Sequence, residues 1–267
     1  MTPTRAVVAV MLVTGALGAA YYAYTLYSIA NTSYSSEGGN GMDARLMSPL
    51  TTEQEVGFGE LLGMEMIARY GVSKDEQAKM RVRETGVRLV KPLGGIAYRY
   101  AFIVLADPNA VNAYALPGGA IFVTEGLLRL LKTDDEVAAV LSHEIGHVHH
   151  SHAVKYVRDH PATRDWMRTA VARQADYGPA EMQRILDVLL GMQYDDYQEL
   201  SADSGAAGLM AKAGYDARAM LAVSDTLARA KPQDLLATHP HHGKRAEQIR
   251  SEIERLSPAD KTEKPKP

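Results

Sequence analysis

The chain has 267 residues, 46% hydrophobic and 23% charged, with a formal net charge of −3 and no cysteine. That length holds one domain of about 200 residues with appendages, and the small charge gives no reason to expect nucleic acid as a partner. Lack of cysteine excludes disulfides, thiolate catalysis and Cys-ligated structural zinc, so any bound metal must be held by His, Asp or Glu.

No charged residue occurs between Ala6 and Ser36, and Ala6 to about Leu26 is predominantly apolar. About twenty helical residues cross the hydrocarbon layer, and Tyr21, Tyr22, Tyr24 and Tyr27 fall where an interfacial aromatic belt belongs. Residues 1–30 are therefore expected to form an N-terminal membrane anchor. The alternative is a signal peptide cut after the small residues Gly18, Ala19 and Ala20. Arg5 precedes the span and acidic residues dominate the segment after it, which places the rest of the chain outside the cytoplasm on either reading. The expectation is a membrane-anchored, periplasmic domain, or one exported after cleavage. Residues 31–50, rich in Ser, Gly and Asn, read as a flexible linker.

Two scaffold helices follow, Thr52 to Tyr70, stopped by Gly71, and a second to about Val90 that starts at a Ser73–Glu76 capping box. Arg99 to Leu105 has the aromatic and β-branched content of a strand. Asn112 to Thr124 reads as a strand, a Pro117-Gly118-Gly119 turn and a second strand. It fits an ordinary hairpin packed on the core and, equally, an edge strand at Asn112, Ala113, Tyr114, Ala115 and Leu116 able to pair with an extended peptide.

A long helix is expected from Asp134 to Arg158, started by a capping box at Thr133–Glu136. It carries His143-Glu144-Ile145-Gly146-His147, an HExxH pattern. Residues four apart share a helix face, so His143 and His147 can reach one ion. Glu144, about 100° around the helix, lies beside the metal and can polarise a water. Neutral imidazole suits zinc, and a catalytic zinc keeps one position open. Of the nearby histidines, His150 shares the ligand face by periodicity, whereas His149 and His152 are expected to point elsewhere, which argues against a metal-storage tract. The pattern HExxHxxGxxH is excluded, because His150 and Ala153 stand where Gly and His would be needed.

Helices at 162–175 and 180–192 read as packing, with Trp166, Met167, Leu186, Leu189 and Leu190 on their apolar faces, or alternatively as a lid or a membrane-facing surface, between which the sequence does not decide. Tyr197 to Ala213 is the second informative helix. Glu199 and Asp203, four apart, put two carboxylates on one face, and small residues Ala202, Gly205, Ala206 and Gly208 permit close approach to another helix. A carboxylate ligand with a second carboxylate orienting a ligating histidine completes a His₂Glu zinc site. A helix from Asp216 to Ala230, a loop through Thr238-His239-Pro240 and a last helix from Lys244 to Leu256 close a domain at 51–256. Residues 257–267 read as a disordered tail.

Together, Asn112–Gly119, HEIGH at 143–147, Glu199-Leu200-Ser201-Ala202-Asp203 and Thr238-His239-Pro240 with Arg245 resemble, in that order, the membrane-associated zinc metallopeptidases that include the prenyl-protein protease, HtpX and the Oma-like and BepA-like proteins. The resemblance covers roughly Glu53 to Ile253 and favours the single-anchor branch. It implies a zincin-like (gluzincin) α+β fold, mainly helical with a small sheet and an edge strand beside the zinc helix. It also implies one zinc per chain on His143, His147 and Glu199, with Glu144 as general base and Asp203 bonded to a zinc histidine. His239 would approach the reacting carbonyl, or bind zinc as a fourth ligand. His152 matches a histidine common after the family's zinc motif, and Ser151 and Ser204 stand where arginine is common. The expected function is a zinc endopeptidase acting on misfolded or misassembled envelope proteins, with an unfolded or extended polypeptide as partner. The alternative is a chaperone or assembly factor that binds unfolded segments with little proteolysis.

Overall fold

The computed structural model describes residues 50–94, 98–163, 178–230, 232, 235, 238, 239 and 243–256. The expected anchor, the linker up to Pro49, Trp166, Met167 and the tail lie outside the described residues. Among the described residues, no helix is long and apolar enough to cross a membrane.

Helix α1 (Thr52–Tyr70) begins at a capping box in which Thr51 and Gln54 satisfy each other's backbone N–H groups. Gly71 ends it with a positive φ of 71°. Helix α2 (Glu76–Val90) differs at its start from the expected Ser73 box, because Asp75 is the cap and accepts from the Ala78 N–H. The Ser73 hydroxyl is drawn away to the Glu125 carboxylate.

The sheet has three strands, β1 (Ala101–Leu105), β2 (Ala113–Ala115) and β3 (Ala120–Thr124), in the order β1-β3-β2. Strand β1 is parallel to β3, and β2 is antiparallel to it, with Tyr114 opposite Phe122. The Pro117–Gly119 turn is one 3₁₀ turn. Gly118 has a φ of 76°, and a Cβ there would come within 2.4 Å of Val56 Cα, so the turn can lie directly against α1 only as glycine. Arg99, expected in β1, instead donates its N–H to Gly118 O at 3.1 Å.

After the short α3 (Glu125–Leu128), the expected helix from Asp134 to Arg158 is two helices, α4 (Asp134–His149) and α5 (His152–Asp159). The break is at Ser151, left-handed with φ 50° and ψ 38°. Helix α4 is capped as expected by Thr133 and Glu136. Helices α6 (Pro179–Leu190), α7 (Asp196–Lys212), α8 (Ala219–Ala230) and α9 (Gly243–Leu256) follow. The cap of α7 is an Asp195–Gln198 box. Leu235 and Thr238 are helical, and the His239 N–H reaches Leu235 O at 2.7 Å, so His239 ends a helical turn rather than sitting in a loop.

The core joins α2, β1–β3, α4, α7 and α8 through side chains such as Val82, Ile121, Leu141, Ile145, Ala206, Met210 and Val223. Helices α4 and α7 approach most closely where Gly146 meets Ala202, and a Cβ on Gly146 would lie 2.8 Å from Ala202 Cα and O. Ala202 and Ala206 are buried in this contact, whereas Gly205 and Gly208 face open space. Half of the expected small-residue stripe therefore makes the approach.

Candidate metal centre

The α4–α7 contact sets two pairs of side chains face to face. From α4, the Nε2 atoms of His143 and His147 lie 3.0 Å apart. From α7, the fully buried Glu199 carboxylate stands 3.6 Å from His143 Nε2 through one oxygen and 3.3 Å from His147 Nε2 through the other. Ligands on a tetrahedral ion with bonds of about 2.0–2.1 Å are separated by about 3.3 Å, so these three side chains have the spacing of zinc ligands. His239 adds a fourth donor, its Nδ1 2.9 Å from Glu199 Oε1 and 3.4 Å from His143 Nε2. All four donor atoms lie within 4.8 Å of one another.

Behind this cluster sit the groups that orient it. Asp203 Oδ1 is 2.8 Å from His143 Nδ1. An ionised carboxylate only accepts, so that nitrogen carries the proton and Nε2 keeps its lone pair for a metal. Arg245 from α9 reaches both carboxylates, with its Nε 2.6 Å from Asp203 Oδ2 and its Nη1 in close contact with Glu199 Oε2. Burial would raise the Glu199 carboxyl, but the charges of His239 and His143 and hydrogen bonds from His147 and His239 hold it well below the usual carboxylate range. Burial likewise opposes ionisation of Asp203, and His143 and Arg245 hold its carboxyl down. Two charged carboxylates ready to meet a cation result.

Glu144 differs. It is 2% exposed, its Oε2 has no hydrogen-bond partner, and burial pushes its carboxyl up against the opposing pull of His239 and His143. A buried carboxylate oxygen left open in this way calls for a water or substrate polar group, and a carboxylate held above its ordinary range is a stronger proton acceptor than a free one. Its Oε1 is 3.7 Å from His239 Nε2.

The break at Ser151 corrects the expectation for His152. That ring turns back into the site, with its Nδ1 2.9 Å from His147 Nδ1 and its Nε2 3.3 Å from Ser201 Oγ. Burial, with His150 and Lys155 nearby, lowers it to about 4, so it is neutral at pH 7. His150 is half-buried and stacks on His152 instead of joining the ligand cluster. Sequence reading missed Tyr194. Its ring stacks on His147 at 3.8 Å between centroids, and its N–H donates to Thr238 O at 3.1 Å, which ties the His239 segment to the start of α7. A tyrosine just before a helix cap carries no signal for this role. Ser151, where arginine was expected by resemblance, bonds Tyr98 and Glu55, and Ser204 bonds Glu252.

Two open clefts meet at the site. One, about 340 Å³, runs along β2 from Ala113 to Leu116, faces Leu189, Leu190 and Met192, and ends at Tyr194, Thr238 and His239. Among the described residues β2 is paired only with β3, at the edge of the sheet. The other, about 710 Å³, is bounded by His143, Glu144 and His239 and is otherwise mostly apolar, with Leu127, Ala139, Val140, Met220, Val223 and Leu227 in its walls. Asn112 is buried behind β2, its side chain accepting the Ala113 N–H.

Comparison with known proteins finds metalloprotease relatives. Over 207 residues the chain is 28% identical to a putative beta-barrel assembly-enhancing protease of Vibrio cholerae, covering 72% of this chain and 43% of that one. Over 158 residues it is 30% identical to the mitochondrial metalloendopeptidase OMA1 of Arabidopsis thaliana, covering 58% and 31%. The metalloprotease YcaL of Escherichia coli is 25% identical over 187 residues, covering 68% and 72%. The chain thus spans less than half the length of the first two. The profile of peptidase family M48 matches residues 76–253, from α2 through all four candidate ligands to α9. That match covers well over half of the sequence, and the chain belongs to peptidase family M48 and is a metalloprotease.

Proposed function

We propose that the chain is a zinc-dependent endopeptidase of zincin-like fold, with His143, His147 and Glu199 as ligands. The observation that carries the reading is the convergence of the His143 and His147 Nε2 atoms, 3.0 Å apart, on the two oxygens of the buried Glu199 carboxylate, beside a buried Glu144 with one oxygen left open. Bound zinc would supply Lewis acidity, polarising the scissile carbonyl and lowering the pKa of water to about 7. Glu144 takes a proton from the attacking water and returns it to the leaving amine nitrogen. The substrate backbone lies along Ala113–Leu116, adding a strand to β2 as extended peptides do at open sheet edges. Asn112, expected in this edge, is instead buried with its backbone N–H and C=O bonded to Thr124. The apolar cleft beside Glu144 receives a side chain next to the scissile bond. Misfolded or misassembled envelope proteins are the proposed substrates, on the support of the protease names of the relatives. The N-terminal segment is proposed to anchor the domain to a membrane outside the cytoplasm.

His239 supports two roles. As an oxyanion donor, its loss would lower kcat by roughly 10²–10³ with metal retained. Its place among the four converging donors favours a second role, a ligand that closes the open position, and then His239→Ala would be faster than wild type.

The reading is tested with Glu144→Gln on unfolded casein. The variant should bind zinc as wild type does and lose nearly all cleavage. Cleavage at the wild-type rate would remove Glu144 as the base. Tight substrate binding by a wild type that never cleaves would favour the chaperone reading.

A further inference from the structure

The orientation of His147 depends on a row of side chains that leads away from the candidate ligands. His147 Nδ1 is 2.9 Å from His152 Nδ1, His152 Nε2 is 3.3 Å from Ser201 Oγ, and Ser201 Oγ is 2.9 Å from Gln198 O. Two facing imidazole nitrogens bond only if one carries a proton, and a neutral imidazole has one proton in all. The far end of the row favours one register. A carbonyl can only accept, so Ser201 gives its single hydroxyl proton to Gln198 O. Ser201 Oγ then accepts from His152 Nε2–H. His152 Nδ1 is left with a lone pair and accepts from His147 Nδ1–H. His147 Nε2 is thereby bare, which is the tautomer a metal ligand requires. In the opposite register every proton moves one place along, and His147 Nε2–H points at His143 Nε2, 3.0 Å away, and at Glu199 Oε1, 3.3 Å away. Both accept that proton while no metal is bound, and a metal on these atoms leaves the first register as the one that satisfies the row.

We propose that His152 and Ser201 are positioning residues that hold His147 in its metal-binding tautomer. The inference rests on the metal-site reading above. Each imidazole ligand then has its own device: Asp203 orients His143 directly, and the Ser201–His152 relay orients His147. Both devices start on α7, because Ser201 stands two residues after Glu199 and two before Asp203. The helix that brings the carboxylate ligand therefore also sets the proton position on both histidines. The relay depends on the left-handed Ser151, which turns His152 back toward α4, and on His150, whose ring lies 5.3 Å from that of His152 at an interplanar angle of 17°.

The test uses full-length protein stripped of metal and titrated with zinc against a chromogenic chelator, with circular dichroism of each apo variant as the check on folding. Loss of a partner that orients a metal ligand costs about 10–100-fold in affinity. His152→Leu is expected to show that loss, and His152→Asn, whose Oδ1 can accept from His147 Nδ1–H, should recover most of it. Ser201→Ala, the milder change, should weaken zinc less than His152→Leu. Wild-type affinity in His152→Leu would overturn the proposal, as would a His152→Asn variant no better than His152→Leu. Wild-type zinc affinity in Ser201→Ala would overturn it too, and that variant decides if His152→Leu does not fold. Were wild type to bind no zinc, the metal-site reading would fall and the relay with it, whereas zinc bound equally by wild type and His152→Leu would sink the relay alone.

Discussion

Gly146 lies inside the metal motif, yet no ligand role requires it to be small. The structure gives the reason in its contact with Ala202. A methyl group on Gly146 would sit 2.8 Å from both Ala202 Cα and its carbonyl oxygen, where ordinary contact begins at 3.4 Å, so α7 must retreat by about 3.4 − 2.8 = 0.6 Å. Metal sites tolerate about ±0.2 Å in ligand distance, and Glu199 rides on the helix that moves. Overpacking of this kind costs about 1–3 kcal/mol, against a gain of about 1 kcal/mol from replacing helical glycine by alanine. Gly146→Ala is therefore expected to be neutral to about 2 kcal/mol less stable in urea, with zinc affinity down at least about tenfold. Gly205→Ala on α7 is the internal control, because nothing lies within 4 Å of its Cβ. That change should gain about 0.4–1 kcal/mol and leave zinc affinity alone. If Gly146→Ala gains stability as the control does and binds zinc as tightly as wild type, the α4–α7 contact does not set the ligand spacing.

Arg245→Met leaves the buried Glu199 and Asp203 carboxylates without their shared cation, and the apo protein should lose about 3–5 kcal/mol in urea unfolding. A loss below about 1 kcal/mol would mean that the carboxylates are stabilised by other means. Glu55 gives a pH signature. Burial raises its carboxyl above the ordinary 4.5, against hydrogen bonds from Ser151 and Tyr98. The folded state holds that proton more tightly, so its destabilising effect is absent below about 4.5 and grows as pH rises through the raised value. Glu55→Gln should therefore lessen the fall in urea midpoint from pH 4 to pH 7, and an identical fall in both proteins would show that Glu55 is not raised. Peptide-library digestion should show Leu, Met or Phe enriched at one position flanking the cleaved bond. Val223→Trp, which fills the apolar cleft, should shift that preference to small residues, and a flat profile would remove the cleft from substrate recognition.

Where a single helix sets the geometry, the sequence was enough to pair the candidate side chains. His143 and His147 converge because they are four apart, and Glu199 and Asp203 share a face for the same reason. The tertiary partners were only partly legible. Pairing of β1 with β3 is a parallel contact between strands that the hairpin pattern does not join directly. Gly205 and Gly208 looked like contact residues by size, but which side of α7 meets α4 is decided by Ala202 and Gly146 together. The ring of Tyr194 on His147 and the grip of Arg245 on two carboxylates arise from elements far apart in the chain, and local periodicity has no access to them. The placement of His152 was misjudged because the pattern continues past a residue that leaves helical space.

That residue, Ser151, works as a length gauge. In an unbroken helix a histidine five positions after His147 would lie about 140° around the axis, and no choice of side chain could bring it back. One left-handed residue reverses the chain at the right step, at a steric cost of about 1–2 kcal/mol for a residue other than glycine. Constraint here falls first on residue count and handedness, and only then on identity. Adding or removing one residue between Val148 and Ser151 would carry α5 to a different side of the motif, although every ligand stayed in place. Glycine or asparagine at 151 would keep the reversal and lose only the hydroxyl's ties to Tyr98 and Glu55, whereas valine or isoleucine would resist the backbone conformation itself. A transplant of this metal helix into another scaffold would have to carry the reversal with it.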